Sequence, residues 1–181
     1  MATLNPNLLK QYAQAGFNFV LLHNAAFVSD RGRKLGKAAR SKSWPVAEVS
    51  HQDAIHHMNK GGNIGVQMST AGYLVVDYDP RADENAGTPE NGLQRILDYI
   101  GVNIANTARV VTGNPEGKAK GQHIYLKVDP DWRGRTKLPK DSHPFPGVEL
   151  KHSAGQYVVA AGSVHPGSND LTQLGDLYRW H

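Results

Sequence analysis

The stretch GYLVVDYDPR, residues 72–81, is an apolar run that ends on two aspartates with one tyrosine between them. Its Leu-Val-Val centre, bounded by Gly72 and Pro80, has the length and the β-branched content of a buried strand. Side chains on a strand alternate between faces, so Asp77 and Asp79 share one face with α-carbons about 6.5–7 Å apart, and Tyr78 points the other way. Two ionised carboxylates at that spacing repel each other unless a cation lies between them. Hard ions such as Mg²⁺ or Mn²⁺ take oxygen ligands of this kind. The plainer reading is a strand that ends in a turn, because Asp and Pro both favour turns.

Two later runs have the same parity. In GQHIYLKV, residues 121–128, His123 and Tyr125 lie on one face and Ile124 and Leu126 on the other. In GVELKH, residues 147–152, Glu149 and Lys151 share a face opposite Val148 and Leu150. If these strands are neighbours in one sheet, the carboxylates of Asp77, Asp79 and Glu149 converge on a metal pair, with His123 and Lys151 beside them for an anionic ligand. Such a set suits nucleotidyl transfer, in which two metals activate the attacking hydroxyl and stabilise the leaving pyrophosphate. A lone strand histidine is more commonly a structural residue.

Outward from these runs, helix and strand patterns alternate. NPNLLKQYAQAG predicts an opening helix, capped by Asn5 or Asn7 and stopped at Gly16, and FNFVLLH predicts a strand. HQDAIHHMNKGG suits a short helix ending at Gly61 and Gly62, and NIGVQMS a strand that turns at residues 70–72. An acidic loop and a helix through ENGLQRILDYIG follow, then strand patterns in ARVVTG, QHIYLKV, GVELKH and QYVVAAG. The proline-bearing segment DPDWRGRTKLPKDSHPFPG interrupts them as a loop. Mixed helix and sheet architecture, with a helical N-terminal lobe, is the expected class.

Composition sets the limits. The 181 residues, 39% hydrophobic and 20% charged, suffice for one sizeable core, which can be split into two lobes. The lack of cysteine excludes disulfides and thiolate metal sites, leaving oxygen and imidazole as ligands. With neither a long apolar run nor a basic-then-apolar leader, a soluble, cytoplasmic protein is expected, with no membrane partner. The net charge of +4 is a mild preference for polyanions. Its placement says more: Arg31, Arg33, Lys34, Lys37, Arg40 and Lys42 stand with no acid among them, and a second basic region runs from Lys118 through Arg133, Arg135, Lys137 and Lys140. These are either solvated loops or contacts to nucleic-acid phosphates. Trp44 is read as a loop anchor rather than a base-stacking platform, His56 and His57 as surface residues, and GNPEGKAKG as a hairpin turn without P-loop spacing.

The ordered series NIGVQMS, YLVVDYD, RVVTG, GQHIYL, GVELK and YVVAAGSVHPG, closing on YRW, resembles the primase-polymerase (Prim-Pol) domain of the archaeo-eukaryotic primase superfamily, as found in phage and plasmid replication proteins. The resemblance runs from about Gly16 to Trp180. It implies an α+β fold: an RRM-like catalytic module beside a smaller α/β module, mixed sheets with flanking helices, and an active site in the cleft between them. It also implies that Asp77, Asp79 and Glu149 are catalytic and hold two Mg or Mn ions. His123 would contact the phosphates of the incoming nucleotide, with Lys151, Ser163 and His165 near it. Arg31, Arg33, Lys34, Lys37, Arg40 and Lys42 would bind DNA. The departures are KGQH, where a small-residue or Gly-Gly lead to the histidine is common, and Glu149, where Asp is frequent. The implied protein is a DNA primase and polymerase that uses a single-stranded template, a primer and nucleoside triphosphates. Residues 1–181 would be one catalytic domain of a longer replication protein that carries a C-terminal helicase. The alternatives are a DNA-binding module of a replication initiator without catalysis, and a two-metal nuclease.

Overall fold

A computed structural model describes residues 6–68, 72–80, 92–103, 107–113, 120–128, 145–152, 155–166 and 173–174. In chain order the elements are α1 (Pro6–Gln14), β1 (Asn18–Leu22), α2 (His51–Asn59), β2 (Asn63–Gln67), β3 (Tyr73–Tyr78), α3 (Gly92–Ile100), β4 (Ala108–Val111), β5 (Gln122–Lys127), β6 (Val148–Lys151), β7 (Tyr157–Val159) and β8 (Gln173–Leu174). Each patterned run takes its expected form, and β8 is the one short strand that no pattern announces. The turn at residues 70–72 falls mostly outside the described residues, as do the acidic loop, most of the proline-bearing segment and the closing YRW. Among the described residues, no helix is long and apolar enough to cross a membrane.

Local chemistry sets the helix ends. At the start of α2, Ser50 accepts from the Asp53 amide at 3.1 Å and donates to its carboxylate at 2.6 Å, so one serine answers an orphan helix donor and fixes the acid beside it. α1 ends where Gly16 takes the left-handed φ of 84°, a conformation a side chain would disfavour.

The strands form a three-stranded sheet in the order β1-β2-β7 and a five-stranded sheet in the order β6-β3-β5-β4-β8. Every pairing among them is antiparallel, which corrects the expectation of mixed sheets. The reason lies in the connection through α3. β3 and β4 run the same way, but α3 carries the chain past one position in the sheet, and β5 returns into that position between them. No two parallel strands therefore become neighbours.

Alternation along β3 divides the interior. Val75 joins a core shared by both sheets, with Leu9, Tyr12 and Phe17 from the N-terminal region, Ile64 and Val66 of β2, Val110, Tyr125 and Val158. Val76 faces the other way, into a cluster with Ile124, Val148 and the apolar stripe Leu93, Ile96 and Leu97 of α3. Each such side chain contributes about 1.5–3 kcal/mol on burial. The face that carries Val75 therefore begins as core and, two residues further along β3, reaches Asp77.

Candidate active site

The three strands whose faces carry Asp77, His123 and Glu149 are neighbours in the five-stranded sheet. Asp77 on β3, which lies between β5 and β6, stands directly opposite His123 of β5 on one side and Glu149 of β6 on the other. Directly opposed residues on one face have β-carbons about 4.5–5.5 Å apart, so the three side chains form a row across the sheet. Val75 in turn faces Lys151, which sets that lysine on the same face, one step toward the core. Asp79 lies one residue beyond the end of β3, where its amide donates to the Gly147 carbonyl at 2.7 Å. That bond extends the pairing with the segment leading into β6 and holds Asp79 on the side of Asp77.

Burial differs along the row. The His123 side chain is 8% exposed, that of Asp77 31% and that of Glu149 56%, so the row runs from the interior to solvent. His123 Nε2 lies 3.6 Å from Asp77 Oδ1. Its Nδ1 is buried without a hydrogen-bond partner, although the Val159 carbonyl of β7 attracts a ring proton from outside hydrogen-bond geometry. Glu149 is ion-paired with Lys151.

Burial lowers the His123 pKa below its ordinary 6.5; the Asp77 carboxylate opposes that shift, and Lys37 and Lys151 reinforce it. The folded protein thus keeps the ring neutral while the unfolded chain takes up a proton below pH 6.5, so this group withdraws stability as pH falls from 6.5 toward its folded value. Thermal midpoints measured from about pH 8 to about pH 5 are expected to fall more steeply for the wild type than for His123→Gln, with the two curves parallel above the ordinary histidine range. Parallel curves throughout would show that His123 titrates alike in both states.

The field of Lys37 on His123 has a structural origin. Tyr157 of β7 donates its hydroxyl to the Lys37 carbonyl at 2.8 Å, and burial raises the pKa of that phenol and keeps it a donor. One residue earlier, the Gly36 carbonyl accepts from Asn63 Nδ2 at 2.8 Å. The same amide donates to the Val164 carbonyl at 2.8 Å, while Asn63 Oδ1 accepts from the Val164 amide at 2.8 Å. Asn63, at the head of β2 and buried, therefore ties the residue before Lys37 to the residue before His165. Gly36 is required at this crossing, since a β-carbon there would lie 2.8 Å from the Ala25 α-carbon and 3.1 Å from the Pro166 β-carbon. In the sequence NIGVQMS and QYVVAAG carry only a strand pattern, and nothing in it marks Asn63 or Tyr157.

The remaining expected site residues separate. Ser163 is fully buried, and its hydroxyl accepts from the Ile64 amide at 3.0 Å and donates to the Ile64 carbonyl at 3.1 Å, so it fixes the turn that bears His165. Arg31, Arg33 and Lys34 lie exposed on a short hairpin, and Lys42 is exposed on the following turn. Arg40 is exposed but held, for its guanidinium donates to His57 Nδ1 at 3.3 Å. His57 corrects the surface reading of that pair. His56 is exposed, whereas His57 is buried, with Nε2 on the Leu22 carbonyl at 2.8 Å and its ring in the space that Gly62 leaves by having no side chain. Trp44 meets the Tyr157 ring edge-on at 4.7 Å and is a loop anchor, as expected. Of the second basic region, Lys118, Arg133, Arg135, Lys137 and Lys140 fall outside the described residues.

The donor set fits hard divalent cations. Asp77, Asp79 and Glu149 supply carboxylate oxygens from adjoining backbone positions, and the half-exposed Glu149 has room to turn. As the side chains stand, no three His, Asp or Glu groups among the described residues close on one point, and Glu149 is turned to Lys151.

A family model described as "Bifunctional DNA primase/polymerase, N-terminal" matches residues 9–181. No curated protein matches the chain.

Proposed function

Because the chain belongs to the Prim-Pol family of bifunctional DNA primase/polymerase N-terminal domains, we propose that its nucleotidyl-transfer site is the row Glu149–Asp77–His123. Membership makes it a nucleotidyltransferase-type domain of DNA replication that acts on DNA and nucleotides. The finer reading is template-directed synthesis on single-stranded DNA, with or without a primer, in phage or plasmid replication, alongside a helicase on the same native chain. The observation that carries it is the register, which sets two carboxylates and a buried histidine side by side on one sheet face. The strand order β6-β3-β5-β4, with α3 crossing between β3 and β4, supports the RRM-like reading of this sheet. A core shared with the three-stranded sheet supports a site between the two modules.

In this reading Asp77, Asp79 and Glu149 hold two Mg or Mn ions, which supply charge neutralisation at the reacting phosphate and a more acidic 3′-hydroxyl. The chain's own residues do the rest. Glu149 releases Lys151, which turns to the triphosphate; the neutral His123 donates a hydrogen bond to a phosphate oxygen; Lys37 and His165, on the two segments that Asn63 joins, approach the same charge. Burial on the His123 side excludes water from one flank, and the exposed Glu149 side admits the primer end.

Synthesis on a single-stranded template, with and without an annealed primer, in Mg²⁺ or Mn²⁺, tests the proposal. Metal-dependent products support it, and primer-free products add initiation. Lys151→Ala is expected to raise the nucleotide KM by about tenfold, the loss of one charge-assisted contact, with a smaller effect on the metal requirement. Unchanged nucleotide kinetics would remove Lys151 from the site. The Glu149–Lys151 ion pair favours one second reading, a DNA-binding module without catalysis. DNA binding without synthesis, in either metal, would select it.

A further inference from the structure

The hairpin that carries the first basic cluster has a feature the sequence did not announce. After β1, the His23 amide donates to the Ala38 carbonyl at 3.0 Å, and Leu35 donates to Phe27 at 3.0 Å. Val28 and Lys34 form an antiparallel bridge. The tip closes through Ser29, which accepts from the amides of Gly32 and Arg33, with Gly32 at a left-handed φ of 72°. On this frame the His23 and Phe27 rings stack in parallel, 4.1 Å between centroids and 9° between planes. Phe27 remains 39% exposed and Val28 49%, two of the few large apolar side chains that reach solvent among the described residues. Arg31, Arg33 and Lys34 are exposed on the same hairpin, and Asp30 is the single acid of the tip.

We propose that this hairpin is a single-strand holding arm, in which the Phe27 ring, backed by His23, stacks on an unpaired base while Arg31, Arg33 and Lys34 contact the flanking phosphates. The inference rests on the polymerase reading, which requires an unpaired template. The combination selects its partner. The cations match a phosphate backbone in charge. An aromatic face matches a base face, which an unpaired strand exposes and a duplex hides within its stack. Stacking needs no hydrogen-bond code, so the arm accepts any template sequence, as a replication enzyme must.

The test compares the affinity of the full chain for a labelled single-stranded oligonucleotide and for the duplex of the same length, across a salt series, with primer extension measured in parallel. Phe27→Leu keeps the apolar volume and removes the π-face. It is expected to weaken single-strand binding about fivefold or more, with duplex binding and the salt slope unchanged. Phe27→Trp should restore or tighten it. The pair Arg33→Gln, Lys34→Gln should reduce the single-strand salt slope by about 1.4, two phosphate contacts' worth. A Phe27→Leu protein that extends primers and binds single strands as the wild type does would overturn the arm and leave the polymerase reading intact. Equal weakening on duplex and single strand would also overturn it. A wild type that binds single strands through Phe27 but makes no product would instead count against the polymerase reading.

Discussion

Replacing Asp77 by Asn is expected to reduce primer extension by at least about a hundredfold, because loss of a residue that merely supports a metal ligand already costs 10–100-fold. Asn has the shape of Asp, and the backbone of residue 77 keeps its partners in β5 and β6. The substitution therefore changes charge and ligand strength and leaves the strand in place. It also removes the carboxylate that favours a proton on His123, so the histidine stays neutral over a wider pH range. DNA affinity should hold or rise slightly, since a negative charge leaves a chain of net +4. The measurement is single-turnover extension beside a thermal midpoint and a DNA-binding curve. Extension within a few-fold of the wild type, with fold intact, would move the site away from Asp77; loss of extension together with loss of folding would call for Asp79→Asn, whose side chain lies beyond the strand.

The strands were legible in the sequence where two-residue alternation was strong. YLVVDYD, QHIYLK and VELK each combine apolar and polar faces, and that parity alone predicted which side chains share a face. Adjacency was an assumption there, and the order β6-β3-β5 is what supplied it. The antiparallel character was not legible, because it depends on which place in the sheet the chain re-enters after α3. His57 was misread for a related reason. Helical spacing says that adjacent residues diverge, but His57 is buried by the Leu22 carbonyl, 35 residues earlier, and by the space beside Gly62, a glycine whose pattern marks only the helix end. The hairpin at residues 23–35 showed its charges in the sequence and hid its stacked rings, since His23 and Phe27 meet through a loop conformation rather than a periodic one.

Asn63 is the least legible residue of the site and carries the second large prediction. Its amide joins segments 27 and 101 residues away, so no local pattern marks it. Asn63→Ala is expected to lower folding stability by about 2–3 kcal/mol, because the buried Gly36 carbonyl and the part-buried Val164 carbonyl and amide all lose the Asn63 side chain, at about 1 kcal/mol each. Denaturant titration should show a lower midpoint with an unchanged slope. The functional consequence follows from what the amide holds. Lys37 and His165 each sit one residue beyond a tethered carbonyl, so a loosened crossing should raise the nucleotide KM severalfold at a temperature where the variant is still folded. The Tyr157 hydroxyl separates position from stability: Tyr157→Phe removes the hydroxyl's bond to the Lys37 carbonyl and its contact with the Ala39 backbone, and keeps the ring that supports Trp44. That variant should cost about 1 kcal/mol of stability and still raise the nucleotide KM. If Asn63→Ala loses stability while both variants keep the wild-type KM, the crossing is a structural rivet alone, and Lys37 returns to the set of template-binding cations.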